Sequence, residues 1–194
     1  MKKIIAALVL CIVSTLCFGQ EKIGTYHSNY FDKDFYVEYS EKTGEYYIQI
    51  VGETATKHCC FIVKDIDNFR TSLSDAKDKY AEWVKVAKEN NVKTMDKDMD
   101  IKFSKGTFAW YGREWYFNFY AVPKPRFLIT STGDYLFLLF SGKEFSASDN
   151  QYITEKAYWA FSSVSEIEEL LNLISQETLQ KFLDSKAAKD DLFK

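Results

Sequence analysis

The chain has 194 residues, with 25 Lys and Arg against 28 Asp and Glu, a formal net charge of −3, and 17% aromatic residues. A mildly acidic balance argues against a nucleic-acid partner, because binding phosphates needs a basic footprint. The length suffices for one sizeable core, and four cysteines in such a length are too few for a disulfide-dense scaffold.

Residues 1–19 read as a leader. Lys2 and Lys3 make a positive start, residues 4–18 are an apolar run short for a bilayer span, and Cys17-Phe18-Gly19 offers small residues at the two positions a signal peptidase reads. Cleavage is expected before Gln20, giving an exported protein, periplasmic or extracellular, with residues 20–194 as a single α+β domain. A retained anchor needs a stop-transfer pattern, and none follows. A lipidated cysteine needs a small residue before it, whereas Cys11 and Cys17 follow Leu10 and Leu16. Loss of the leader and its two lysines leaves about 175 residues with a net charge of about −5.

The remaining cysteines, Cys59 and Cys60, are adjacent. Neighbours on a strand point to opposite faces, so the two cannot pair without a strained turn, and they read as small apolar residues of a buried strand. His58 beside them does not make a metal site, because ligands must converge.

The elements follow in order. A first strand is expected within 23–30, with Asp32-Lys33-Asp34 as a turn. Phe35, Val37 and Tyr39 alternate with Tyr36 and Glu38, and residues 41–44 make a hairpin turn into Tyr46, Ile48 and Ile50. Residues 52–57 read as a loop and 58–64 as a short strand. Ile66, Phe69, Leu73, Ala76, Tyr80, Trp83 and Ala87 then mark one stripe of an amphipathic helix with Asp65 as its N-cap. Asn90 and Asn91 end it, and the Asp96-Lys97-Asp98-Met99-Asp100 run, lacking the glycine and closing glutamate of a calcium loop, reads as a solvated loop.

Residues 101–111 are expected to open a second sheet region, broken at Gly106. Residues 107–140 form the aromatic heart of the chain. Gly112-Arg113 makes a tight turn, Trp115, Phe117 and Phe119 alternate with Tyr116, Asn118 and Tyr120, and Pro123 and Pro125 stop that strand. Thr132-Gly133-Asp134 turns the chain into a nearly continuous apolar run, 135–140, suited to a strand covered on both faces. Residues 142–156 read as a long loop, 157–162 as a short strand, and the rest as a helix opened by a Ser165–Glu168 capping box, restarted near Ser175, with a frayed tail.

The fold class is α+β, an antiparallel sheet packed by two main helices. Thr43-Gly44-Glu45-Tyr46 matches Thr132-Gly133-Asp134-Tyr135, and Val63, Ile66, Phe69 and Leu73 share the spacing of Val164, Ile167, Leu170 and Ile174. Half-repeats 20–95 and 96–186, each ββββα, would be similar in topology to the Pur-repeat and Whirly folds. Grouping the first helix with the second half instead gives an order that resembles the TATA-binding-protein-like fold. These resemblances rest on element order, so the nucleic-acid binding of those folds does not transfer.

No catalytic set emerges. His27 and His58 lack a nucleophile motif, zinc signatures are missing, and no cofactor loop is present. Glycosidic hydrolysis would need two carboxylates about 5–10 Å apart, and Glu45, Glu114 and Asp134 are the ones a carboxylate-dependent hydrolase of cell-wall or polysaccharide substrates would use. The feature above background is aromatic. Trp110, Tyr111, Trp115, Tyr116, Asn118 and Tyr120 crowd one hairpin, and rings with a polar edge suit a glycan or peptide ligand. The sequence is thus read as a non-enzymatic binding module with these six as its ligand face. The rival to a ligand is a homodimer that buries the same aromatics.

Overall fold

The structure, a computed structural model, describes residues 20–55 and 58–192. It contains strands β1 (Gln20–Ser28), β2 (Lys33–Ser40), β3 (Glu45–Gln49), β4 (Val51–Gly52), β5 (Cys59–Val63), β6 (Met95–Asp98), β7 (Gly106–Tyr111), β8 (Trp115–Ala121), β9 (Arg126–Ile129), β10 (Tyr135–Ser146) and β11 (Thr154–Phe161). Three helices accompany them: α1 (Ile66–Glu89), between β5 and β6, then α2 (Val164–Leu173) and α3 (Gln176–Asp191) after β11. The leader expected at 1–19 lies outside the described residues.

The mixed α+β class holds, with two antiparallel sheets. One has six strands in the order β1-β2-β3-β5-β7-β8, the other five in the order β4-β11-β10-β9-β6. Phe61 of β5 meets Phe140 of β10 at 5.5 Å, Trp159 of β11 at 6.0 Å and Phe69 of α1 at 6.1 Å, so both sheets and α1 share one core. The expected stripe of α1 is what enters it. Phe69, Leu73, Ala76, Tyr80 and Ala87 are buried, and the Asp65 carboxylate accepts from the backbone N–H of Asn68 at 3.1 Å.

The aromatic segment is shared between the sheets. Its first two strands, β7 and β8, extend the six-stranded sheet through β5, while β9 and β10 belong to the other, and Pro123 and Pro125 lie in the link. The second sheet region expected from residue 101 onward therefore starts differently: β7 joins the strands of the first half. Conversely β4, from the first half, pairs with β11.

Three local expectations are corrected. The acidic run at 95–98 is the edge strand β6, paired with β9, and Asp96 and Asp98 bind Arg126 at 2.6 and 3.3 Å. An exposed, charged edge strand carries no apolar period, so only its partner betrays it. The loop expected over 142–156 shrinks to 147–153, because β10 continues through register shifts at Leu138/Phe140 and Ser141/Lys143. Gly142 makes the second shift possible: its φ is +74°, and a Cβ there would sit 2.8 Å from the Tyr158 ring. The capping box is Ser163–Glu166, two residues before the expected pair. The buried Glu166 carboxylate accepts from the N–H groups of Ser162 and Ser163 at 2.5 and 3.2 Å and from Asn29, which ties the β1–β2 turn to α2. The restart near Ser175 is present, with Ser175 Oγ accepting from Thr178 N at 3.1 Å ahead of α3.

Candidate functional site

The site is set by the register of the β7–β8 hairpin on β5 and β3. Going across the six-stranded sheet, Ile48, Phe61, Phe108 and Asn118 are successive partners, as are Cys59, Trp110 and Tyr116. These rows face the second sheet. Tyr47 pairs with Ile62, Cys60 with Ala109, Ala109 with Phe117, and Tyr111 with Trp115, and these rows face the other way. The period of two that identified the strands thus divides the six hairpin residues between two faces.

Trp110 is 3% exposed, stacked on Phe108 at 5.1 Å and beside Tyr116 at 6.0 Å. Asn118 donates from Nδ2 to the Ser146 carbonyl at 2.8 Å, binding β8 to the end of β10. The hairpin register shifts between Gly106 and Phe108, and near that shift Tyr120 is 70% exposed with the Lys105 Nζ 5.4 Å from its ring centre. Only Tyr111 and Trp115, in edge contact at 5.6 Å, share the outward face.

That outward face carries a small hollow of about 130 Å³, open to solvent. Cys60, Ile62 and Ala109 form its floor, Tyr47, Trp115 and Phe117 its walls, and Gln20 lies at the rim. These apolar residues form a cluster of their own, separate from the main core. Beyond Phe117, Phe119 stacks parallel to it at 5.9 Å and is 46% exposed. Polar groups are few: the Tyr47 hydroxyl, hydrogen-bonded to Gln20 and 3.4 Å from a Glu45 oxygen, and the Gln20 amide itself. The free edge of β8 is partly taken, since Ser148 N donates to the Phe117 carbonyl at 2.8 Å and Phe119 N to Ser148 Oγ at 3.1 Å.

Sequence reasoning missed Tyr47, Cys60, Ile62 and Phe117 as members of this surface. The signal was present in β5, Cys59-Cys60-Phe61-Ile62-Val63, which is apolar at both parities and buried throughout. A strand of that kind needs cover on two faces, and the outward cover here comes only from flanking rings.

The cysteines diverge as strand geometry requires and form no disulfide. Cys59 Sγ contacts the Ile50 carbonyl at 3.2 Å, and burial pushes its thiol up to about 12, which makes it a poor nucleophile. The carboxylates weighed for hydrolysis are spread over three turns and strand starts. Glu45 begins β3, Glu114 closes the hairpin through its carbonyl, and Asp134 accepts from the hydroxyls of Thr132 and Thr130 at 2.6 and 3.0 Å, which hold it below the usual carboxylate range. His27 donates from Nδ1 to the Asp34 carboxylate at 2.9 Å on the surface. Among the described residues no cluster of three His, Cys, Asp or Glu is placed to hold a metal, and no described helix is long and apolar enough to cross a membrane.

The chain matches no protein-family model, no curated protein and no solved structure.

Proposed function

We propose that the protein is an exported, non-enzymatic binding module whose ligand face is the outward side of the six-stranded sheet. The observation that carries this reading is the hollow between Tyr47, Trp115 and Phe117, a concave apolar surface with few polar atoms around it. Of the two ligand classes an aromatic face suits, a glycan would bring hydroxyls that this lining leaves unpaired, at a cost for each. A peptide presenting an aromatic or branched apolar side chain fits better. It would seat that side chain on Cys60 and Ala109 and reach the Tyr47 hydroxyl with its backbone. Strand addition to β8 is disfavoured as the mode, because Ser148 already holds the Phe117 carbonyl and the Phe119 N–H.

The test is a screen of immobilised peptides against the wild-type protein and the variants Trp115→Ala and Phe117→Ala. Binding that both variants lose, while each still unfolds in one cooperative transition well above the assay temperature, supports the reading. Peptide binding that survives both rejects this face, and concentration-dependent dimerisation lost in the same variants assigns it to a second copy instead.

We also infer that the chain arose by duplication. Two antiparallel meanders, β1-β2-β3-β5 and β9-β10-β11, each run directly into a helix. Those helices, α1 and α2, pack on one another, with Lys77 of α1 3.5 Å from Glu168 of α2. A four-stranded and a three-stranded meander, each followed by a helix, support a reading related to the ββββα order of Pur-repeat and Whirly folds, with one strand fewer in the second unit and with β7 and β8 joined to the first sheet.

A further inference from the structure

Gln20 is the first residue of β1, and its place in the fold gives it a chemistry that the rest of the strand lacks. It pairs with Ser40 at the end of the β1–β2 ladder, so its backbone is held rather than trailing. Its side chain lies at the rim of the outward hollow, hydrogen-bonded to the Tyr47 hydroxyl and close to an apolar floor. If the leader is cleaved before Gln20, the new α-amino group appears at that rim.

An α-amino group has an ordinary pKa of about 7.7–8.0, so a free terminus carries a neutral fraction near neutral pH. A neutral amine at an amino-terminal glutamine stands within five-membered-ring reach of its own side-chain amide carbon. We infer that Gln20 is a modification site: once exposed as the amino terminus, it closes to the pyrrolidone lactam, which then caps the rim of the hollow as a neutral, largely apolar ring.

The step balances within the residue. The α-nitrogen attacks Cδ, the new N–Cδ bond forms, the Cδ–Nε bond breaks, and the side-chain nitrogen leaves as ammonia after taking up the proton the α-amine gives away. No oxidant or co-reactant is consumed. The amide nitrogen that donates to the Tyr47 oxygen is the one expelled, so that hydrogen bond is given up, and the terminal positive charge disappears from the edge of the apolar face. The lactam nitrogen keeps one N–H, so the terminus retains a donor while losing its charge.

This inference rests on the exported reading, and one measurement separates the two. The full chain is produced in a bacterial host that exports it, purified from the exported fraction, and weighed intact by mass spectrometry, with stepwise amino-terminal degradation in parallel. The expected mass is that of residues 20–194 less one ammonia, with degradation blocked. The mass of residues 20–194 with ammonia retained and a readable Gln20 upholds cleavage and overturns the lactam. A chain that starts at another residue, or keeps residues 1–19, overturns the cleavage site and the lactam together.

Discussion

The indole N–H of Trp159 donates to the phenol oxygen of Tyr26 at 2.9 Å, between two residues almost wholly removed from solvent. Tyr26 is on β1 and Trp159 on β11, so this bond joins the two sheets through the middle of the core. Around it, Trp159 stacks on Phe69 of α1 at 5.9 Å and Tyr26 on Phe161 at 6.1 Å. Burial pushes the Tyr26 phenol well above its ordinary range, so it stays neutral at any pH the protein meets. Tyr26→Phe keeps the ring and removes the acceptor, leaving a buried donor unpaired. The expected loss is about 1–3 kcal/mol in urea unfolding. A change below a few tenths would show that the indole N–H finds another partner.

The outward hollow and the inward core predict opposite consequences for two tryptophans five residues apart. Trp110→Ala empties a site packed by Phe108 and Tyr116 and should cost about 3–5 kcal/mol. Trp115→Ala removes a half-buried wall of the hollow and should cost about 1 kcal/mol, within the ordinary range for single substitutions. Thermal unfolding of the two variants side by side checks this, and equal losses would place Trp115 in the core.

Gly106 is where β7 passes β5 with no room to spare. A Cβ there would lie 2.4 Å from the Phe61 ring and 2.5 Å from the Ile62 carbonyl, which is backbone and cannot step aside. Gly106→Ala should therefore destabilise by about 1–3 kcal/mol through overpacking. It should also perturb Phe61, the residue both sheets and α1 share. Unfolding in guanidinium gives the magnitude, and an unchanged midpoint would mean the strands separate freely.

Glu155 supplies a pH dependence with a definite sign. Its carboxylate is 3% exposed and accepts from the N–H groups of Glu53 at 2.8 Å, Ala55 at 2.9 Å and Lys156 at 2.9 Å, and from Thr54 through both its N–H and its hydroxyl. Burial pushes its carboxyl up, but the Thr54 hydroxyl and the N–H groups of Ala55, Thr54 and Lys156 outweigh that, and it titrates below the usual range. A folded-state pKa below the unfolded one gives stability that is complete above an unfolded glutamate pKa of about 4.3 and is lost as pH falls through the folded value. Glu155→Ala should cost about 2 kcal/mol at neutral pH, chiefly from the orphaned donors of residues 53–55. The difference from wild type should shrink as the pH drops below that of free glutamate. A gap that stays constant down to acid unfolding would contradict the assignment.

Much of the fold could be read from periodicity. The stripe of α1, its Asp65 cap and the alternation in β2, β3 and β8 are local patterns, and local patterns survive into the structure when burial rewards them. What escaped was set by partners distant in sequence. Met95–Asp98 is a strand only because β9 offers Arg126 to its two acids. Lys143 to Ser146 stays in β10 because Gly142 turns the strand past Tyr158. The capping box falls on Ser163 and not Ser165 because Glu166 must also reach Asn29 of the β1–β2 turn. The hairpin aromatics were found, but not that Trp110 and Trp115 lie on opposite sides of a sheet, which depends on what covers each side.

The exchange of strands between the halves bears on when the protein can fold. The six-stranded sheet takes β7 and β8 from beyond α1, and the five-stranded sheet takes β4 from before it, through Gly52 and Ala157. A ribosome that has released only the first hundred residues has therefore released neither complete sheet. The six-stranded sheet is finished only when β8 emerges, and the five-stranded sheet only when β11 does, and closures over such separations are slow. A nascent chain of this design can form the β1-β2-β3-β5 meander early, but it completes its second sheet only when most of its length has been made.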